Sequence, residues 1–234
     1  MGDVALIVEF GTAIDRAISR RVMNLARAVR RGDWQGVVDV VPTFRSLMVC
    51  YDPLRTSRAE LEDRIGSLFD HQMDMQVRSK LWRIPIIYGG EFGPDLDNVA
   101  DRTGLSSDDV VERHSSIQYH VYMIGFLPGY PYLGDLTKEL QLPRLEKPRL
   151  RVPRRSVAIA QQITGVYPVE SPGGWHLIGR VPVPLFDLEW PRPSLLLPGD
   201  AVRFEPVSQE RFRELESAAT EASYEVPSEE IGAG

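Results

Sequence analysis

The sequence predicts an α+β protein: regular helices and strands over residues 1–88, a barrel or sandwich of short strands over 89–207, and a helix with a polar tail over 208–234. Three observations carry this reading. Proline divides the chain, since four of the 18 prolines lie before residue 120 and fourteen after it. In the first part apolar residues recur at both helical and strand periods. In the second part short β-patterned runs alternate with Gly- and Pro-rich turns, as in a barrel or sandwich. The 234 residues suffice for one large domain or two small ones, and 43% hydrophobic content is enough for a core.

The first part is read element by element. Val4 to Val8 is a short apolar strand that can run on to Phe10. Ile14, Ile18, Val22, Leu25 and Val29 then recur at spacings of 4, 4, 3 and 4, one face of a helix. Val37 to Val41 is a strand ended by Pro42. Leu47, Val49 and Tyr51 alternate with Met48 and Cys50 in another strand. Ser57-x-x-Glu60 is a capping box opening a helix with Leu61, Ile65, Leu68 and Phe69. Leu81 to Tyr88 returns as a strand. The order β-α-β-β-α-β is the ferredoxin-like plan, a sheet with two helices on one face. Gly89-Gly90 then breaks the chain, which puts a domain junction between Trp82 and Gly93.

Leu96, Val99 and Ala100 give a short helix ended by Gly104, and Ser106-x-x-Asp109 starts another that places His114 near its end. A histidine there is favoured by the helix dipole. From Ile117 strands dominate: Ile117, Tyr119, Val121 and Met123 alternate with Gln118, His120 and Tyr122. Val157 to Ile163, Trp175 to Arg180 and Ala201 to Val207 are further strands, with a turn at Pro198-Gly199-Asp200. Phe212, Leu215 and Ala219 mark a helix over Ser208 to Ala222, and Ser223 to Gly234 reads as a fraying tail.

Composition excludes several function classes. A net charge of −6 argues against nucleic acid as the main partner. The single cysteine, Cys50, excludes an internal disulfide and a Cys-based zinc site; it lies in an apolar run and reads as a buried thiol. No apolar stretch is long enough to span a membrane, and Val4 to Val8 is too short for a signal peptide, so a cytoplasmic protein is expected. The phosphate loop, the Rossmann fingerprint, Gly-x-Ser-x-Gly and His-Glu-x-x-His are all absent. His71, His114, His120 and His176 show no metal-ligand spacing, so no metal site is expected. His120 on its alternating strand reads as structural, whereas His176, after a turn, is within reach of a ligand.

Ser171-Pro172-Gly173-Gly174-Trp175-His176-Leu177-Ile178-Gly179-Arg180 carries the most chemistry. Pro172-Gly173 signals a type II turn with positive φ at the glycine. Gly173 and Gly174 leave backbone N–H groups open to a ligand, and Arg180 adds a fixed positive charge. That outlines an anion or carboxamide site. A tight hairpin with Trp175 in the core and Arg180 in solvent fits the same residues. Glu170 is the acid beside the glycines, suited to proton transfer or to binding an amide N–H, and equally to a place on the surface. Gly125 to Gly134, with Tyr130 and Tyr132, reads as a rigid loop with ring faces to offer or as a structural turn with buried tyrosines.

Val41-Pro42-Thr43-Phe44-Arg45-Ser46-Leu47, Tyr88-Gly89-Gly90-Glu91-Phe92-Gly93-Pro94-Asp95-Leu96, Gly125 to Gly134, and Tyr167 to Arg180 together resemble the family of the 5-oxoprolinase B subunit. That family has also been called allophanate hydrolase subunit 1 and the Kip inhibitor family. The resemblance runs from about Val4 to Val207. It implies a ferredoxin-like domain followed by a cyclophilin-like β-barrel, the two subdomains C and D of a carboxyltransferase domain. It implies a hydrolase component that, with ATP and magnesium and with the partner A and C subunits, helps open the lactam of 5-oxoproline to L-glutamate. Alternatives within the resemblance are an inhibitor of a histidine kinase and a carboxyltransferase-type component acting on urea-like amides. A Gly-Gly-Trp-x-x-x-Gly-Arg site beside an acid favours the enzyme. The chain departs from the family pattern at Val157 to Gly165, where several usual glycines and a usual Gln are replaced, and it has no biotin-attachment Met-Lys-Met. In this setting Glu170, Arg180 and His176 are the expected catalytic residues. Tyr130, Tyr132, Gly173, Gly174 and Trp175 are the expected substrate-binding ones. With only Lys80, Lys138 and Lys147 available, all outside these loops, the partner is expected to supply part of the phosphate-binding charge.

Overall fold

Asp15 opens the first helix: its side chain accepts from the backbone N–H groups of Ala17 and Ile18 at 2.8 and 3.1 Å. The computed structural model describes residues 4–70, 79–221 and 223–232, and its chain divides into two compact units, Met1–Val77 and a second that begins at Arg78. The first unit runs β1 (Ala5–Glu9), α1 (Arg16–Arg31), β2 (Val37–Pro42), β3 (Ser46–Tyr51) and α2 (Arg58–Asp70). Its strands form an antiparallel sheet in the order β1-β3-β2. Val22, Leu25, Ala26 and Val29 of α1 pack with Val40, Leu47, Val49 and Ile65 to make the core. The capping box at α2 forms as read: Ser57 N–H reaches Glu60 Oε2 at 2.8 Å and Glu60 N–H reaches Ser57 Oγ at 3.3 Å. Alternation along β3 buries Leu47, Val49 and Tyr51 and turns Cys50 to the other face, where it is half-buried rather than the buried thiol expected.

In the second unit a ten-residue strand, β4 (Ser79–Tyr88), comes first. It is followed by α3 (Leu96–Thr103), α4 (Ser107–Ser115), β5 (Tyr119–Ile124) and β6 (Pro131–Gly134). Then come β7 (Arg149–Val152), β8 (Ser156–Ala160), β9 (Ile163–Val166), β10 (Ser171–Gly173) and β11 (His176–Arg180). The chain ends through β12 (Ala201–Pro206), α5 (Gln209–Thr220) and β13 (Ser228–Ile231). Strands β11-β8-β9-β6-β5-β12-β4 pair in that order, and β11 returns to β4, closing a seven-stranded barrel. Closure leaves no edge along the ring. Ile84, Ile86, Val121, Leu133, Val157, Ile178 and Val202 fill it, with Val99 of α3 and Val110 of α4 in the same core.

Two expectations about organisation change. The strand at Leu81 to Tyr88 is not the fourth strand of the N-terminal sheet: it pairs in parallel with β12 and antiparallel with β11 and β13. The division between units therefore falls at residues 77 and 78, upstream of the expected 88 and 89. The tail is not loose throughout, because Ser228 to Ile231 pairs with Trp82 to Ser79. It belongs, with α5, to the barrel unit.

His114 is more than a dipole partner. It is fully buried and its ring stacks on Phe204 at 5.0 Å. Thr164 Oγ1 donates to Ala158 O at 3.1 Å, so it accepts from His114 Nε2–H at 3.0 Å, and Nδ1 accepts from the Tyr88 hydroxyl at 2.7 Å. The neutral ring is thus satisfied at both nitrogens, and burial pushes its pKa down from 6.5 to about 3. The unfolded chain binds this proton below pH 6.5 while the folded chain refuses it until about pH 3. The stability held above pH 6.5 is therefore lost on acidification across that window, at up to about 1.4 kcal/mol per pH unit from this group. Denaturant titrations at pH 7.0, 6.0 and 5.0 should show that fall, and His114→Gln should be less stable at pH 7 but show a shallower fall. An equal slope in both proteins would exclude His114 as its source.

Candidate functional site

A cavity of about 430 Å³ opens on the barrel unit where the β5–β6 turn faces the segment around β10. The turn is Leu127-Pro128-Gly129-Tyr130, with Gly129 at φ +75° and Tyr130 N–H bonded to Leu127 O at 3.0 Å. Four of the ten residues of the expected loop are in fact strand: β6 starts at Pro131, where a missing N–H is tolerated. Tyr130 and Tyr132, two apart, share a face. Tyr132 pairs with Gly165 of β9, and Tyr130 lies over that glycine, close enough that a Cβ there would sit 2.7 Å from its hydroxyl.

The walls are aromatic. Tyr130 stands 5.1 Å from Tyr132, 5.1 Å from Tyr167 and 5.8 Å from Trp175, centroid to centroid, mostly edge to face. Burial raises the pKa of all three tyrosines, so each keeps its proton at neutral pH. The Tyr130 and Tyr167 hydroxyls interact, and since each is both donor and acceptor either proton can serve the pair while the other is offered to a ligand. The cation of the cavity is Arg144, its guanidinium 5.9 Å from the centre of the Trp175 ring. Two bonds fix its place: His176 Nε2–H donates to Pro143 O at 2.9 Å, and Leu145 N–H donates to Gly174 O at 2.8 Å.

All five expected substrate-binding residues, Tyr130, Tyr132, Gly173, Gly174 and Trp175, line this cavity. The three expected catalytic residues do not. Glu170 is exposed and held by the Arg151 guanidinium through two bonds of 3.0 Å. Arg180 lies over the Phe92 ring at 5.3 Å, with a buried Nε. His176 is fully buried and acts on the site through Pro143, one residue before Arg144. Pro172-Gly173 is not a type II turn, since Ser171–Gly173 is a strand paired with β7 and Gly173 has no positive φ. A glycine is required there for another reason: a Cβ would meet the Tyr167 hydroxyl at 2.3 Å. Arg144 and Tyr167 were missed as functional candidates. His71 lies outside the described residues.

Known proteins share this architecture. The carboxyltransferase domain, subdomain C and D, matches residues 1–196. The 5-oxoprolinase B subunit of Bacillus subtilis (strain 168) is 36% identical over 226 residues, spanning 91% of this chain and 93% of that protein. The 5-oxoprolinase B subunit of Escherichia coli O157:H7 is 40% identical over 206 residues, 88% of this chain and 94% of that protein. This chain belongs to the family of the 5-oxoprolinase B subunit. The crystal structure of TTHA0988 is 39% identical with a TM-score of 0.79, covering 87% of this chain and 40% of that one. As a member of the 5-oxoprolinase B subunit family, then, this chain spans nearly all of these two B subunits but under half of that solved polypeptide.

The neighbouring glycines make a sharp test of the wall. Gly173→Ala forces the Tyr167 hydroxyl aside, whereas a Cβ at Gly174 meets Pro148 at an ordinary 3.5 Å. Overpacking of this kind costs about 1–3 kcal/mol. Thermal melts should show Gly173→Ala destabilised by that order and Gly174→Ala nearly unchanged. The reverse ranking would contradict the packing described.

Proposed function

We propose that this chain is the B subunit of an ATP-dependent 5-oxoprolinase and that the Arg144 cavity holds the 5-oxoproline ring. The curated relatives support the activity, and the wall chemistry supports the place. 5-Oxoproline is a small, flat lactam with one carboxylate. Arg144 offers a guanidinium for that carboxylate, with charge-assisted bonds stronger than neutral ones. Trp175 and Tyr132 offer ring faces, and the protonated Tyr167 hydroxyl offers a donor for the lactam oxygen. Gly174, where even a Cβ would meet nothing nearer than Pro148 at 3.5 Å, lets the ligand approach the backbone closely. His176 is a positioning residue here, and Arg144 takes the charge role expected of Arg180.

The cavity does not fit a nucleoside triphosphate with magnesium as well. Among the described residues Arg144 is the one cation in its lining, and no carboxylate stands there. The phosphate-binding charge and the proton-transfer group are assigned to the A and C subunits. Exposed apolar side chains around the cavity support a partner there. Phe126 of its lining is 64% exposed, and Leu150 on β7 and Val169 just before β10 are 86% and 41% exposed. On the same reading the barrel is cyclophilin-like, and the first unit is ferredoxin-like on its β-α-β-β-α order and β1-β3-β2 sheet.

Reconstitution tests the proposal. The purified chain alone should release no glutamate from 5-oxoproline with ATP, and the mixture with the A and C subunits should. Arg144→Gln in that mixture should raise the KM for 5-oxoproline about tenfold or more, the loss of a bond to a charged group, with complex assembly intact. Hydrolysis by the chain alone, or an unchanged KM in the variant, would overturn it.

A further inference from the structure

A second cavity, about 700 Å³, lies in the same unit and shares no lining residue with the first. It is built from the start of β4, the segment 183–195, the end of α5 and the residues leading into β13. Three aromatic rings line it: Trp82, Trp190 and Tyr224. Three carboxylates join them, Asp187, Glu189 and Glu225, against a single ammonium, Lys80.

The parts differ in how far they are already engaged. Trp82 is fixed, because its Nε1–H donates to the buried Asp200 carboxylate at 3.0 Å. Asp187 shapes its own loop by accepting the Glu189 N–H at 3.0 Å. Glu189 and Glu225 are exposed and in no ion pair with any described residue. Lys80 Nζ stands 5.2 Å from the centre of the Trp82 ring, so one aromatic face already carries a cation. Aromatic faces attract cations through the ring quadrupole, and carboxylates with no partner do so through charge. A flat guanidinium satisfies both at once, stacking on a ring while forking to a carboxylate.

We propose that this second cavity is a binding site for a small organic cation of the alkylguanidinium or alkylammonium class. Trp190 and Tyr224 supply ring surface beside Trp82, Glu189 and Glu225 the counter-charge, and Lys80 is a resident competitor. The site is independent of the 5-oxoproline reading and stands or falls without it.

Two tryptophans in the wall make intrinsic fluorescence a direct readout, with calorimetry beside it. The full chain is titrated with ethylguanidinium, and with neutral N-ethylurea as its isostere. Ethylguanidinium should saturate and N-ethylurea should not. The double variant Glu189→Gln, Glu225→Gln should weaken ethylguanidinium binding about tenfold or more, as expected for losing charge partners. Lys80→Met should tighten it severalfold by vacating the Trp82 face. All three substitutions are at exposed positions, so folding is checked simply by an unchanged melt. Absence of saturation, equal binding of N-ethylurea, or indifference to both charge variants would overturn the proposal and leave an apolar groove.

Discussion

The seam where β11 meets β4 holds the rest of the barrel unit in place. It rests on two residue pairs, Gly179 with Tyr88 and Arg180 with Ile87. The strands can approach because Gly179 has no side chain: a Cβ there would sit 2.5 Å from Ile87 O. Asp95 locks the seam from the loop before α3. Its N–H donates to Leu177 O at 2.9 Å and its carboxylate accepts from Leu177 N–H at 2.7 Å. The same carboxylate pairs with Arg149 at 2.5 Å. Arg149 lies on β7, opposite Gly173. One nearly buried carboxylate thus ties the barrel closure to the wall of the first cavity. Removing one member of such a pair costs about 3–5 kcal/mol when both are buried, less here because Arg149 remains partly exposed.

That coupling explains how an irregular segment can present a charge in a fixed place. Arg144 sits between elements, yet its neighbours Pro143 and Leu145 are both bonded to β11 or the nearby Gly174. The rings it faces pack against one another, and their hydroxyls stay protonated through burial. The result is a site held by backbone bonds and ring packing rather than by long flexible side chains.

Local signals in the sequence were legible because local physics sets them. The capping boxes at Ser57 and Ser106, the left-handed Gly104 and the helical face from Ile18 to Val29 all depend on residues within a turn or two. Long-range matters were not. The pattern of Leu81 to Tyr88 announces a strand but not its sheet, and its partners lie at the far end of the chain. Glycines announced close approach correctly at Gly173 and Gly179, but what approaches is a tyrosine hydroxyl and a neighbouring strand. Arg180 read as a ligand group for the same reason: its position in a glycine-rich run marks a seam. Arg144 gave no signal, since its meaning comes from Trp175 and the backbone of β11.

The pairing of β4 also has a consequence for synthesis. This strand is the first of the barrel to leave the ribosome, and it is largely apolar. All three strands it pairs with are made later, and β12 and β13 come near the end. The three strands of the first unit all lie within residues 5–51, so its sheet can form while translation continues. The barrel cannot close until β12, which ends at Pro206, has emerged. During that interval β4 is an unpaired apolar strand, the kind of segment chaperones shield. A ribosome stalled after β11 would release a folded first unit tethered to an open, adhesive sheet.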